Sequence, residues 1–223
     1  MIRRTCNCLV SNWGSRWSRI DEEPGEDSTG KVCGGDCGVR VTDIWLVRHG
    51  EAAAAFDQEI DPGLSLLGHE QAATAAQQLS AIVPPDAQLL TSPKQRAVQT
   101  GAPFAGARDT TLQPDERFIE LPSPEGLAQR SEWLQQALAS NWAALPTAVH
   151  DWRDSIAAAL QAVSTPTVIF THFLVINSIA AAISHEDAVV QCLPANGSIH
   201  HLQIDGARWR WASRGDMLES IVN

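Results

Sequence analysis

Residues 43–51 read Asp43-Ile-Trp-Leu-Val-Arg-His-Gly-Glu51. The unbroken apolar run from Ile44 to Val47 leaves no polar face, which is the pattern of a short strand buried on both sides. Such a strand belongs inside a parallel sheet covered by helices on both faces. Ligands of these sheets gather beyond the carboxyl ends of the strands. The residues following Val47, namely Arg48, His49, Gly50 and Glu51, therefore stand where chemistry is done.

Outward from this stretch the rest of the body falls into the same rhythm. Ser65 can cap a helix whose inner face is Ala72, Ala75, Ala76, Leu79 and Ile82. Gln88–Thr91 is the next strand, and Ser92-Pro93 reads as the N-cap and first residue of another helix. Leu127–Ala139 predicts a helix with Leu127, Leu134 and Leu138 on one side, and Val149–Val163 a stronger one aligning Val149, Trp152, Ile156, Leu160 and Val163. Pro166–Phe170 is a strand followed at once by an apolar helix from Leu174 to Ile183. Ser198–Ile204 and Arg208–Ala212 alternate around Asp205-Gly206, a hairpin turn pair. The expected fold is α/β: a three-layer helix/sheet/helix sandwich with a mostly parallel central sheet.

Two further strand ends bear on function. Leu90 is followed by Thr91, Ser92, Pro93 and, one helical turn later, Arg96; Phe170 is followed by Thr171 and His172. Two arginines and two histidines thus converge on one rim. Arginine forks match phosphate oxygens, and a neutral histidine nitrogen serves as base or nucleophile. With no second carboxylate pair or cysteine cluster nearby, the set favours phosphoryl transfer without a metal, fixed cations neutralising the charge magnesium would otherwise meet. A proton donor for the leaving oxygen must still be found, either a carboxylic acid or another histidine.

Composition narrows the alternatives. The chain has 223 residues, 44% of them apolar, and a formal net charge of −10, so it holds enough apolar mass for a core and lacks the basic stripe of a nucleic-acid binder. No stretch approaches 18 uninterrupted apolar residues, so no membrane span is expected, and the expected location is cytoplasmic. Residues 1–40 carry six basic and six acidic groups, so the whole charge surplus lies in 41–223. That first segment has no apolar period and holds four of the five cysteines, Cys6, Cys8, Cys33 and Cys37, at spacings unlike zinc half-sites. It is read as an N-terminal extension, disordered or arising from a start assigned too far upstream, ahead of a catalytic domain spanning 41–223. Cys192 reads as a small buried hydrophobe. His69, His150, His185, His200 and His201 read as surface or packing residues, the last two pointing to opposite faces of one strand.

Four segments in order carry a resemblance: Leu46-Val-Arg-His-Gly-Glu51, Asp61-Pro-Gly-Leu-Ser-Leu-Leu-Gly68, Ser92-Pro-Lys-Gln-Arg-Ala-Val-Gln-Thr100 and Thr171-His172. They resemble the histidine phosphatase superfamily, the phosphoglycerate mutase-like group, with its R-H-G, L-T-x-x-G, S-P-x-x-R-A-x-Q-T and S-H motifs. The likeness runs from about residue 42 to 205. It implies that His49 is the nucleophile that becomes transiently phosphorylated, that Arg48, Arg96 and His172 form the phosphate pocket, and that Glu120 is the general acid. Glu116 and Glu125 are the alternative acids. The resemblance implies no metal and no cofactor, a small phosphorylated substrate, and a monomer or homodimer. Two departures stand out: Phe173 follows His172 where the family usually has glycine, and Ala52–Ala55 replaces positions that include a phosphate-contacting asparagine. Between Leu121 and His150 the only cation is Arg130, fewer than a mutase needs for a sugar acid. The expected activity is therefore phosphomonoester hydrolysis through phosphohistidine. A mutase, a phosphate-binding protein with a retired site, and a metal-dependent hydrolase are the alternatives.

Overall fold

The computed structural model describes residues 41–54, 59–122 and 129–219. The expectations for 1–40, including its four cysteines, and for Glu125 and Leu127 lie outside the described residues.

A six-stranded sheet forms the middle layer: β1 (Thr42–Arg48), β2 (Gln88–Thr91), β3 (Gln113–Pro114), β4 (Thr167–Thr171), β5 (Ile199–Asp205) and β6 (Arg208–Ser213). Their spatial order is β3-β2-β4-β1-β5-β6. The first four are mutually parallel, β5 runs antiparallel to β1, and β6 antiparallel to β5, so the sheet is mixed but mostly parallel, as expected. Successive residues of β1 serve opposite faces. Ile44 and Leu46 enter a core closed by α4 (Thr147–Gln161) and α5 (Phe173–Ser184), while Trp45 and Val47 enter one closed by α1 (Leu66–Ile82) and α2 (Gln95–Ala107). This is the three-layer arrangement that an unbroken apolar run requires.

Several boundaries differ from expectation, among them α4, which starts and ends two residues before Val149–Val163. The apolar stripe of α1 ends on Val83 (6% exposed), whereas Ile82 is 53% exposed. At 100° per residue, position 82 lies about 80° off the line of Ala72, and position 83 returns to it. Helix α2 begins at Gln95 with Lys94 as cap, two residues later than Ser92-Pro93 suggests. The first amide donor of α2, Gln95 N–H, is taken by the Asp61 carboxylate at 3.0 Å, while the Ser92 hydroxyl is committed elsewhere. Helix α3 spans Arg130–Leu138, a shorter segment than Leu127–Ala139. The edge strand β3 has no sequence signal, since both its residues are exposed.

Candidate active site

Strands β1, β2 and β4 end level with one another, Arg48 pairing Thr171 and Thr91 pairing Phe170. Their exit residues are stitched together: His49 N–H donates to the Thr171 carbonyl (2.9 Å) and Ser92 N–H to the Phe170 carbonyl (2.9 Å). His49, Arg96 and His172 are all buried there, with the two imidazole centroids 5.1 Å apart.

The tautomer of His49 follows from its neighbours. Nδ1 lies 2.7 Å from the Gly50 carbonyl, which can only accept, so Nδ1 carries the proton and Nε2 holds the lone pair. Arg96 Nε–H donates to that lone pair at 3.2 Å. Burial, followed by the charges of Arg96 and Arg48, holds the imidazole well below its usual pKa, so it is neutral at pH 7.

His172 faces a hydroxyl instead, a group that can donate as well as accept. The Ser92 hydroxyl oxygen accepts Lys94 N–H (3.3 Å) and lies 2.7 Å from His172 Nε2, so it is placed to donate its proton to that nitrogen. With Nε2 accepting that proton, Nδ1 carries the ring's own, and Nδ1 is buried without a partner. Arg48 shows a second orphan. Its Nη1 donates to the Pro194 carbonyl at 2.5 Å, yet its Nε is buried without a partner. Desolvation lowers this arginine to about 10, which still leaves it charged at neutral pH. Buried donors left unpaired cost about 1–3 kcal/mol each, so a cationic site holding two of them favours an anion that accepts from both.

Glu120 is the carboxylate the fold brings to this group. One oxygen accepts Leu121 N–H (3.0 Å) and the Leu174 N–H of the first turn of α5 (3.2 Å). Its backbone is fixed from two sides: the Thr171 hydroxyl donates to the Phe118 carbonyl (2.9 Å) and Trp152 Nε1–H to the Ile119 carbonyl (3.2 Å). Burial raises the Glu120 pKa, opposed by the Leu121 amide, Arg96, Arg48 and the Leu174 amide. Glu116 is exposed, in a short turn one residue after Asp115, and none of those amides reaches it. Arg130, at the start of α3, feels Glu120 and is felt by Arg96, so its charge lies near the site.

The remaining motif residues hold backbone. A Cβ on Gly50 would meet the Gly68 carbonyl at 2.5 Å, so the loop after His49 and the first turn of α1 touch main chain to main chain. Ser65 N–H donates to the Glu51 carbonyl and the Ser65 hydroxyl to the Glu51 carboxylate (2.7 Å), while Thr100 Oγ1 accepts Gly50 N–H (2.9 Å). Gln99 Oε1 accepts Leu64 N–H (2.7 Å). Two contributors carried no sequence signal: Asn196, whose Nδ2 donates to the His49 carbonyl (3.1 Å), and Asn177, described below. Away from the site, His200 and His201 do face opposite sides, His200 bonding Ser198 and His201 bonding Asp43. Cys192 is half-buried against the α4–α5 core. Trp142 and Trp152 are buried in that core, and Trp133 packs partly buried against it.

Comparison with known proteins places this geometry. Residues 44–217 match the model of the histidine phosphatase superfamily (branch 1). Among solved structures, Bacillus stearothermophilus YhfR aligns with a TM-score of 0.65 at 22% identity, covering 79% of this chain and 98% of that one. A mycobacterial glucosyl-3-phosphoglycerate phosphatase aligns at 0.62 and 22% identity over 78% and 98%. The Entamoeba histolytica phosphoserine phosphatase aligns at 0.61 and 20% over 79% and 98%. At these identities the likeness is one of fold. No curated protein sequence matches the chain.

Proposed function

The chain belongs to the histidine phosphatase superfamily, branch 1, and from that premise we propose that it hydrolyses small phosphomonoesters through a phosphohistidine, without a metal. The observation that carries the reading is the pair of buried, unpartnered donors, Arg48 Nε and His172 Nδ1, beside a neutral imidazole with its lone pair on Nε2. The phosphoryl oxygens accept from both donors and from Arg96, and the fixed cations offset the charge of the transferring group.

In the first step His49 Nε2 forms a bond to phosphorus, the ester P–O bond breaks, and the departing oxygen takes the Glu120 proton. A phosphate dianion held by Arg48 and Arg96 cancels the charges that favour Glu120 ionised, so binding itself raises the acid further. In the second step the Glu120 carboxylate removes a proton from water as its oxygen attacks phosphorus. The N–P bond breaks, orthophosphate leaves, and His49 and the protonated acid are restored. The first substrate panel pairs simple esters with carboxylate-bearing ones such as phosphoserine and 3-phosphoglycerate.

The test is hydrolysis of p-nitrophenyl phosphate in excess EDTA by the wild type and by His49→Ala, with acid-quench detection of acid-labile phosphoprotein. Chelator-resistant turnover, lost with the trapped phosphoprotein in the variant, is the expected result. Turnover that survives His49→Ala, or that EDTA abolishes, would overturn the reading.

A further inference from the structure

We propose that Phe173 is a positioning residue for Arg48, its ring and the Pro194 carbonyl forming a two-sided clamp that turns the guanidinium's Nε edge toward the phosphate. The assignment rests on the phosphate-binding role given to Arg48 above. The Arg48 guanidinium carbon lies 5.2 Å from the Phe173 ring centroid, within the range of a cation–π contact. One end of the same group is taken by the Pro194 carbonyl, which accepts from Nη1 at 2.5 Å. Face and one end being occupied, the buried Nε is left on the edge that can pair two phosphate oxygens side by side.

The two halves of the clamp are tied to each other. Asn177, fully buried in α5, donates from Nδ2 to the Phe173 carbonyl (3.0 Å) and accepts both Gln191 N–H (2.7 Å) and Cys192 N–H (2.9 Å) through Oδ1. It thus fixes the first turn of α5 against the segment leading to Pro194. Phe173 also stands between His172 and Leu174, whose amide reaches Glu120, so a shift of its backbone would be felt by both. Arg48 is partly stripped of water, and a cation with weakened hydration gains most from a ring face. Glycine, the residue the family resemblance leads one to expect here, would keep the carbonyl that Asn177 holds but has no ring to face Arg48.

A packing role and an electrostatic one are separated by changing the ring's electrons at nearly constant volume. In the full chain, Phe173 is replaced by 4-fluoro-, 3,5-difluoro- and 3,4,5-trifluorophenylalanine, with Phe173→Tyr and Phe173→Leu alongside. Orthophosphate Kd is measured by calorimetry and Tm by thermal melting. The Kd is expected to climb with each fluorine, reaching about two- to thirtyfold above wild type in the trifluoro protein. Phe173→Tyr should bind within about twofold of wild type, Phe173→Leu no better than the trifluoro protein, and Tm should not follow the fluorine series. A Kd that ignores fluorination overturns the assignment even if Phe173→Leu binds weakly, since a loss confined to leucine reports packing alone. Absence of orthophosphate binding by the wild type would instead overturn the phosphatase reading, and this assignment with it.

Discussion

Acidification from pH 7.5 to 4 is expected to remove about 3 kcal/mol of stability through His200 alone. This residue lies fully buried on β5 and is locked in one neutral form. Gly215 N–H donates to its Nδ1 at 3.2 Å, so that nitrogen holds the lone pair, and Nε2–H donates to the Ser198 hydroxyl at 2.9 Å. A second proton on Nδ1 would point at an amide N–H. Burial, aided by Arg214 and Arg48 and opposed by Asp216, lowers this imidazole from 6.5 to about 4. Between those values the unfolded chain binds a proton that the folded chain refuses. Stability is therefore whole above pH 6.5, falls as the pH drops, and levels near 4. Two and a half decades at about 1.4 kcal/mol each give about 3.5 kcal/mol, and half-protonation of the folded state at pH 4 returns about 0.4, leaving about 3. His49 and His172 are depressed too and act with the same sign, so the wild type loses more than this in total. The His200 share is isolated by urea unfolding of the wild type and His200→Gln at pH 7.5, 6, 5 and 4. The advantage of the wild type over the variant should shrink by about 3 kcal/mol across the series. Parallel stability curves would refute the reasoning, because His200 would then be accepting its proton in the fold at no cost.

Other expectations concern the site more directly. Gly68→Ala drives a Cβ into the Glu51 carbonyl oxygen, so the loop beyond His49 must move. A loss of about a hundredfold in kcat/KM is expected, with about 1–3 kcal/mol of stability, whereas Gly106→Ala, which meets nothing within 4 Å, should leave kcat/KM unchanged. Glu120→Gln should slow alkyl phosphate hydrolysis by about 10²–10⁴-fold and p-nitrophenyl phosphate, with its better leaving group, far less. Because the first step uses the protonated acid, the wild-type rate falls as pH rises through the elevated Glu120 pKa, and that alkaline limb should vanish in the variant. Asn177→Ala leaves the Gln191 and Cys192 amides without their acceptor, and chemical unfolding should show a loss of about 2–4 kcal/mol.

What the sequence made legible is what local pattern controls. The run Ile44–Val47 announces a strand buried on both faces because each residue must find an apolar layer, and both layers are there. The rim residues Arg48, His49, Arg96 and His172 could be placed together because parallel strands deliver their carboxyl ends to one edge. Features fixed by distant partners were not legible. The start of α2 depends on Asp61, 34 residues before Gln95, and no local rule points there. Asn196 reaches the His49 carbonyl across 147 positions. The resemblance already favoured Glu120 over Glu116, but the contact that sets Glu120 apart, the Leu174 amide donating to its carboxylate, comes from 54 residues on and has no local signal.

The same long-range ties join the four motifs to one another, although few of their residues could touch a substrate. Thr100 holds Gly50, Gln99 holds Leu64, Ser65 holds Glu51, and Ser92 holds His172. Each motif thus braces another, and loss of one bond would shift a backbone that two others rely on. In the proposed mechanism one contact among the described residues opposes attack, Arg96 Nε–H on the His49 Nε2 lone pair. To attack, His49 must have that donor drawn away, and Asp61, at 3.9 Å from the guanidinium, holds it only loosely. A dianionic phosphoryl group draws it strongly because it offers Arg96 charge-assisted hydrogen bonds in exchange for a neutral one. A neutral ligand offers no such exchange and leaves the nucleophile capped. On the proposed mechanism, the electrostatic step that binds the phosphate therefore also frees the nitrogen that is to attack it.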